Sequence, residues 1–317
     1  MFFYSETLTS EQVENIITAW REQHVFSGSL AVDSSDYFGY SVDINDAGDR
    51  VVIGAYLDER IGGSSSEGLA YLFVSGTTGW VQQHIFSGSL AIDVSDFFGT
   101  SVAINSAGDR VVVSAFGDET ISGSYNNEGL AYLFTSGTGG WTEQHVFSGS
   151  LAADRNDFFG SSVAINNIGD IVAVGAKWDE RVGGSSSEGL VYLFVSGSGG
   201  WSEQQIFSGS LATGSNEQFG ASVAINSVGD RVVIGAPGDE RVDGSSGEGL
   251  VYLFVSGTTG WIQQHIFSGS LAVDTSDSFG YSVAINSTGD RVLAGTIGDE
   301  RIGGSSNEGL AYIFSEE

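Results

Sequence analysis

Five times along the chain a pair of acids stands beside a cation or a hydroxyl. The runs are Asp58-Glu59-Arg60, Asp118-Glu119-Thr120, Asp179-Glu180-Arg181, Asp239-Glu240-Arg241 and Asp299-Glu300-Arg301. Each precedes a Gly/Ser-rich stretch such as Gly62-Gly63-Ser64-Ser65-Ser66. A second acidic pattern, Asp-x-x-Asp, recurs as Asp33/Asp36, Asp93/Asp96, Asp154/Asp157 and Asp274/Asp277, with Gly214 and Glu217 in its place in the fourth unit. Two carboxylates three apart in a loop can hold a hard cation together with backbone carbonyls. They can equally accept backbone N–H bonds and fix a turn. No cofactor is expected, and calcium at these pairs is the alternative left open. The Asp-Glu-Arg runs admit two uses: ligand contact, or ion pairs that lock neighbouring units together.

Catalysis by these acids is not expected. Glycosidase chemistry needs carboxyl groups of unequal pKa in unlike surroundings. Acids repeated almost identically in every unit have like surroundings. No nucleophile–base pair, phosphate loop or metalloprotease pattern is present. Four histidines, His24, His84, His145 and His265, fill one slot of the repeat, with Gln205 in the fifth. Spread one per unit, they share neither a metal nor a substrate. One departure stands out: Lys177-Trp178, the only lysine beside a tryptophan, in the acid loop of the third unit. A tryptophan exposed there can stack on a sugar ring or anchor a partner. The plain alternative is packing filler.

The elements that must position these loops come from the repeat itself, which governs every other assignment. Phe-Gly pairs recur at Phe38, Phe98, Phe159, Phe219 and Phe279, and tryptophans at Trp20, Trp80, Trp141, Trp201 and Trp261, about 60 residues apart. Within a unit, Trp20–Phe26, Gly39–Asn45, Arg50–Ala55 and Leu69–Val74 read as strands. The third is a continuous apolar run and the last is rich in β-formers. Asn45–Asp49 is a tight hairpin signal. The spacing predicts a short helix over 10–19, opened by Thr9 and Gln12 as a capping pair.

Four antiparallel strands per unit, repeated in a ring, make a propeller blade. Sixty residues with four strands make a poor independent core, which disfavours a string of separate domains. The expected fold is therefore all-β: a five-bladed propeller over residues 20–317, preceded by a helical segment at 1–19. The last unit lacks an outer strand and the first has one to spare. Pairing Trp20–Phe26 with the strand that ends at Phe314 would close the ring and remove both open edges. The Asp-x-x-Asp and Asp-Glu-Arg loops then emerge on one face.

The motifs Phe-Gly-x-Ser-Val-Ala-Ile, Val232-Val233-Ile234-Gly235-Ala236-Pro237 and Glu-Gly-Leu-Val-Tyr-Leu-Phe resemble FG-GAP repeats. These are the blades of integrin alpha-subunit propellers, which have seven, and of many bacterial surface proteins. The subtype with a Trp-x-x-Gln strand is the nearest in pattern. The resemblance implies a binding face on the loop side, carried here by Asp58, Glu59, Arg60, Asp118, Glu119, Trp178, Asp179, Glu180, Arg181, Asp239, Glu240, Arg241, Asp299, Glu300 and Arg301. Many such repeats hold calcium in an Asp-x-Asp-x-Asp-Gly loop between the first two strands. The matching segments here, Asn45–Asp49 and its copies, are too short and hold too few acids. The stretch Tyr4–Val13 resembles the tail of a laminin-G-like domain, which suggests a piece of a longer modular protein.

Charge narrows the partners. With 40 acidic and 11 basic residues the net charge is −29, which repels nucleic acid and anionic membrane surfaces. There is no cysteine, and no apolar run reaches transmembrane length. The function expected is a non-catalytic extracellular or cell-surface recognition module for glycan or protein. The alternative is a structural subunit that self-assembles into a filament or fibre.

Overall fold

The computed structural model describes residues 22–31, 35–60, 66–118, 127–152, 156–180, 187–211, 215–240, 247–272, 276–299 and 308–316. The predicted helix at 10–19 lies outside them. Every regular element among them is a β-strand. The first sheet holds β1 (Ser41–Ile44), β2 (Arg50–Ala55), β3 (Leu69–Gly76) and β4 (Gly79–Phe86) in chain order, all antiparallel. The second repeats it with β5 (Phe98–Ile104), β6 (Arg110–Ala115), β7 (Leu130–Gly137) and β8 (Gly140–Phe147). The third has β9 (Phe159–Ile165), β10 (Ile171–Ala176), β11 (Leu190–Gly197) and β12 (Gly200–Phe207). The fourth has β13 (Ser222–Ile225), β14 (Arg231–Ala236), β15 (Leu250–Gly257) and β16 (Gly260–Phe267). The fifth has three strands, β17 (Ser282–Ile285), β18 (Arg291–Gly295) and β19 (Ala311–Ser315).

Burial follows position in the blade. β2 and β3 are almost wholly buried, whereas β4 alternates between exposed and half-buried residues. A strand packed on both faces needs an apolar run; one with a wet face needs alternation. The core lies between blades. Val52, Ala70 and Leu72 of the first blade pack against Val102, Ile104, Val111, Val113, Tyr132 and Phe134 of the second. Each fully buried side chain of this size contributes about 1.5–3 kcal/mol.

The Phe-Gly and Glu-Gly signatures are the fastening between blades. Phe98 N–H donates to the Glu67 carbonyl at 2.8 Å, and Phe159, Phe219 and Phe279 repeat the bond to Glu128, Glu188 and Glu248. The backbones meet so closely that a Cβ on Gly68 would lie 2.0 Å from the Phe98 carbonyl oxygen. Gly68 also sits at φ +83°, where a side chain is strained.

The blades wind about a common axis. Asp46, in the β1–β2 turn, accepts from Ser106 of the second repeat at 2.7 Å and from Asn167 of the third at 3.1 Å. In a linear solenoid each repeat touches only its neighbours. A bond from the third repeat to the first therefore marks a propeller.

The two ends of the array are open among the described residues. Val42 is 64% exposed where its counterpart Val102 is 7% exposed. At the far end Ile313 is 70% exposed where Leu253 is 7% exposed. Of the predicted first strand, Trp20 and Arg21 lie outside the described residues, and Glu22–Phe26 form no strand pairing. Phe26 nonetheless packs on Phe73 and edge-on against Trp80, at 4.9 and 5.2 Å. That is how Phe86 packs on Phe134 and Trp141 one blade later.

Candidate functional site

The β2–β3 loops and the loops that lead into each Phe-Gly lie at the same end of the blades. Backbone bonds tie them: Gly117 N–H to the Asp96 carbonyl, Gly238 to Glu217 and Gly298 to Asp277, all at 3.1 Å. The two acidic patterns expected to share a face are thus joined directly. On the opposite end, Asn45 Oδ1 accepts from the N–H of Asp49 and Arg50, and its Nδ2 donates to Asp49. Asn105, Asn166 and Asn226 do likewise with Asp109, Asp170 and Asp230. These residues shape a hairpin and leave no cluster of free oxygens, so the segment does not fit the calcium loop of the resemblance.

The aspartates that open the acid runs are structural. Asp58, Asp118, Asp179, Asp239 and Asp299 are buried. Each accepts a short hydrogen bond from the tyrosine hydroxyl of the strand that follows: Tyr71, Tyr132, Tyr192, Tyr252 and Tyr312. The second oxygens of Asp58, Asp179 and Asp239 are used as well, accepting from the N–H of Glu59, Glu180 and Glu240. Burial pushes the Asp58 carboxyl up to about 6, against the lowering effect of Tyr71 and the Glu59 N–H; Asp36 adds repulsion. Burial likewise raises Asp239 and all five tyrosines. The reading that had these acids fix geometry thus describes the aspartates, although their partner is a tyrosine within the blade.

Arg60 pairs with the buried Glu67 at 2.9 Å, beside the Glu67 carbonyl that holds the next blade. Glu119, Thr120, Arg181, Arg241, Glu300 and Arg301 lie outside the described residues. Among the described residues, three acidic clusters bring carboxylate oxygens within 4.8 Å of one another: Asp36/Asp58/Glu59, Asp157/Asp179/Glu180 and Glu217/Asp239/Glu240. Their donors are of the type a hard cation takes. Asp58 and Asp239 already spend both oxygens on the tyrosine and the backbone, which leaves few lone pairs for a metal. The histidines serve packing: His24, His84, His145 and His265 each meet the phenylalanine two residues on, at 4.6–4.8 Å.

Trp178 is 37% exposed and meets Phe158 edge-on at 4.6 Å, with Lys177 Nζ 5.5 Å from its ring. It ends a row of rings that sequence reasoning missed. Tyr40 and Tyr37 contact Tyr56 at 4.5 and 5.2 Å. Tyr56 meets Phe97 at 6.0 Å, Phe97 stacks on Phe116 at 5.0 Å, and Phe116 meets Phe158 at 5.1 Å. The signal was present: the residue before each Phe-Gly is Tyr37, Phe97 and Phe158 in three units, then Gln218 and Ser278. It was masked by the Phe-Gly motif beside it.

The sequence profile of the FG-GAP repeat family matches residues 27–73, 90–134, 141–194, 201–254 and 271–314. A search of curated proteins returned no match.

Proposed function

Because the chain belongs to the FG-GAP repeat family, we propose that it is a non-catalytic recognition module that binds a glycan or protein ligand with the loop end of its blades. The observation that supports this is the set of loop residues the scaffold does not consume. Trp178 stands partly exposed beside Lys177, on loops that a rigid sheet holds in place. An extracellular or cell-surface setting and the Trp-x-x-Gln subtype accompany this reading. Catalysis fits poorly: Asp58, whose carboxyl burial raises to about 6, has both oxygens engaged. The test is a cell-surface pull-down and a glycan array run with the intact chain. Retention that Trp178→Ala abolishes supports the reading; no retention on any surface or glycan counts against it.

The reading includes closure of the ring by Trp20–Phe26. Its support lies at the open side of the fifth blade. Phe86, Phe147 and Phe207 each meet a tryptophan edge-on at 5.2–5.3 Å. Phe267 has Phe314 at 4.7 Å and, beside both, a cavity of about 210 Å³ that His265 also lines. Trp20 is the one repeat tryptophan outside the described sheets. If it fills that socket, Trp20→Ala costs about 3 kcal/mol of stability; a change under about 0.5 kcal/mol would leave the ring open. The exposed end faces also favour a second reading, in which copies join end to end as an assembly. Light scattering separates them, a monomer for the closed ring and ordered polymers for the assembly.

A further inference from the structure

The ring contacts cross three blades without a break: Tyr40 and Tyr37 to Tyr56, then Phe97, Phe116, Phe158 and Trp178. We propose that this row is a single extended binding track for a linear polysaccharide without anionic groups. It rests on the recognition reading above and sharpens it, because it confines the site on the loop end to blades 1–3.

The scaffold does not need the row. In blades 4 and 5 the slots of Phe97 and Phe158 hold Gln218 and Ser278, and those of Tyr56 and Phe116 hold Pro237 and Ile297. The junctions there keep the same backbone bonds, Gln218 N–H to Ser187 O and Ser278 N–H to Gly247 O, as Phe97 makes to Ser66 and Phe158 to Asn127. Blades therefore join with or without the rings. Local conformation does not call for them either. Tyr37, Phe97, Phe158, Gln218 and Ser278 all sit at φ between 53° and 59°. This is the left-handed region, which a bulky side chain enters at a cost. In three units a large ring occupies it where serine or glutamine serves as well. Strain kept in place without a packing need points to a surface use.

The shape of the row selects the ligand. From Tyr56 to Trp178 the rings follow one another in single file, whereas a protein-binding hot spot is a compact cluster within an occluding rim. The ring planes turn along it, from 57° at Tyr56–Phe97 to 24° at Phe97–Phe116 and 49° at Phe116–Phe158. A flat crystalline face cannot follow that twist, and a single sugar chain can. Sugar rings offer apolar C–H faces to aromatic rings and hydroxyl edges to acceptors. Half-exposed acceptors lie at both ends: Glu59 is three residues past Tyr56, and Glu180 follows Trp178 by two. Those carboxylates and a net charge of −29 repel polyanions.

The test uses the full chain in affinity electrophoresis and calorimetry against soluble mixed-linkage β-glucan, xylan, galactomannan and chitosan oligosaccharide, with polygalacturonate as the anionic arm. The expected result is binding to at least one uncharged or amino-sugar polymer and none to polygalacturonate. Trp178→Ala and Tyr56→Ala should each weaken it at least tenfold with an unchanged melting midpoint. Ile297→Ala, in the slot of Tyr56, should leave it intact. If the parent chain binds a polysaccharide and both ring variants bind it equally well, the track is wrong and the recognition reading survives. If no polysaccharide binds, or only the anionic one, the track is wrong, and the pull-down then decides the broader reading alone.

Discussion

Blades 1–3 and blades 4–5 are built on one plan and finished differently. Both regions fasten Phe-Gly to the preceding Glu-Gly and bury a tyrosine–aspartate pair under the loop end. Among the described residues, only the first three carry linked aromatic rings on that end. The repeated aspartates of the acid runs are buried against the tyrosines of the scaffold in both regions. Under the proposed track, the residues that differ between the two regions are the ones that recognise a ligand. In a repeat protein, near-identity marks what the blades need from each other, and difference marks what one surface offers to solvent.

That contrast requires the scaffold to be equally strong in both regions. Gly68→Ala and Gly249→Ala each push a Cβ to 2.0–2.1 Å from the carbonyl oxygen of Phe98 or Phe279, at a positive φ. Each should cost about 4 kcal/mol or more in chemical denaturation. A large cost at one and a small cost at the other would break the equivalence. Next in size, Tyr132→Phe and Tyr252→Phe leave Asp118 and Asp239 buried without their hydroxyl donor, for about 1–3 kcal/mol each. Unequal losses would again argue against a shared plan.

A smaller effect concerns pH. Burial raises the Asp58 carboxyl in the fold to about 6 from the ordinary 3.8. Between those values the native state binds more protons than the unfolded chain. This group's contribution to stability therefore falls as pH rises from about 4 to 6 and is level above that. Carboxyl NMR should give a midpoint near 6 for Asp58, moved further up by Tyr71→Phe because that hydroxyl lowers it. A midpoint in the ordinary carboxylate range would contradict the burial argument. Asp239 should shift in the same direction.

Much of this was legible in the residues. The apolar run Arg50–Ala55, the Asn45–Asp49 turn and the period set by Phe-Gly gave the strands, the hairpins and five blades in agreement with the structure. The shared face of the two acidic loops was also readable, because loop order in an antiparallel blade alternates ends. The role of Asp58 was not. Its partner Tyr71 lies 13 residues on, read as an ordinary β-former, and only the sheet brings the hydroxyl under the loop. The aromatic row escaped for a related reason: its contacts run between units about 60 residues apart, so a pass along one unit sees single rings.

The sharpest test compares two identical residues. Tyr40 and Tyr281 occupy the same slot, just after Phe-Gly, and are 58% and 56% exposed. Tyr40 touches Tyr56 at the head of the row; among the described residues Tyr281 meets no other ring. Calorimetry on Tyr40→Ala and Tyr281→Ala, with the polysaccharide the parent chain binds, should show at least a tenfold loss for the first and no change for the second, with both as stable as the parent. Equal losses, or none in either, would contradict the claim that recognition belongs to blades 1–3.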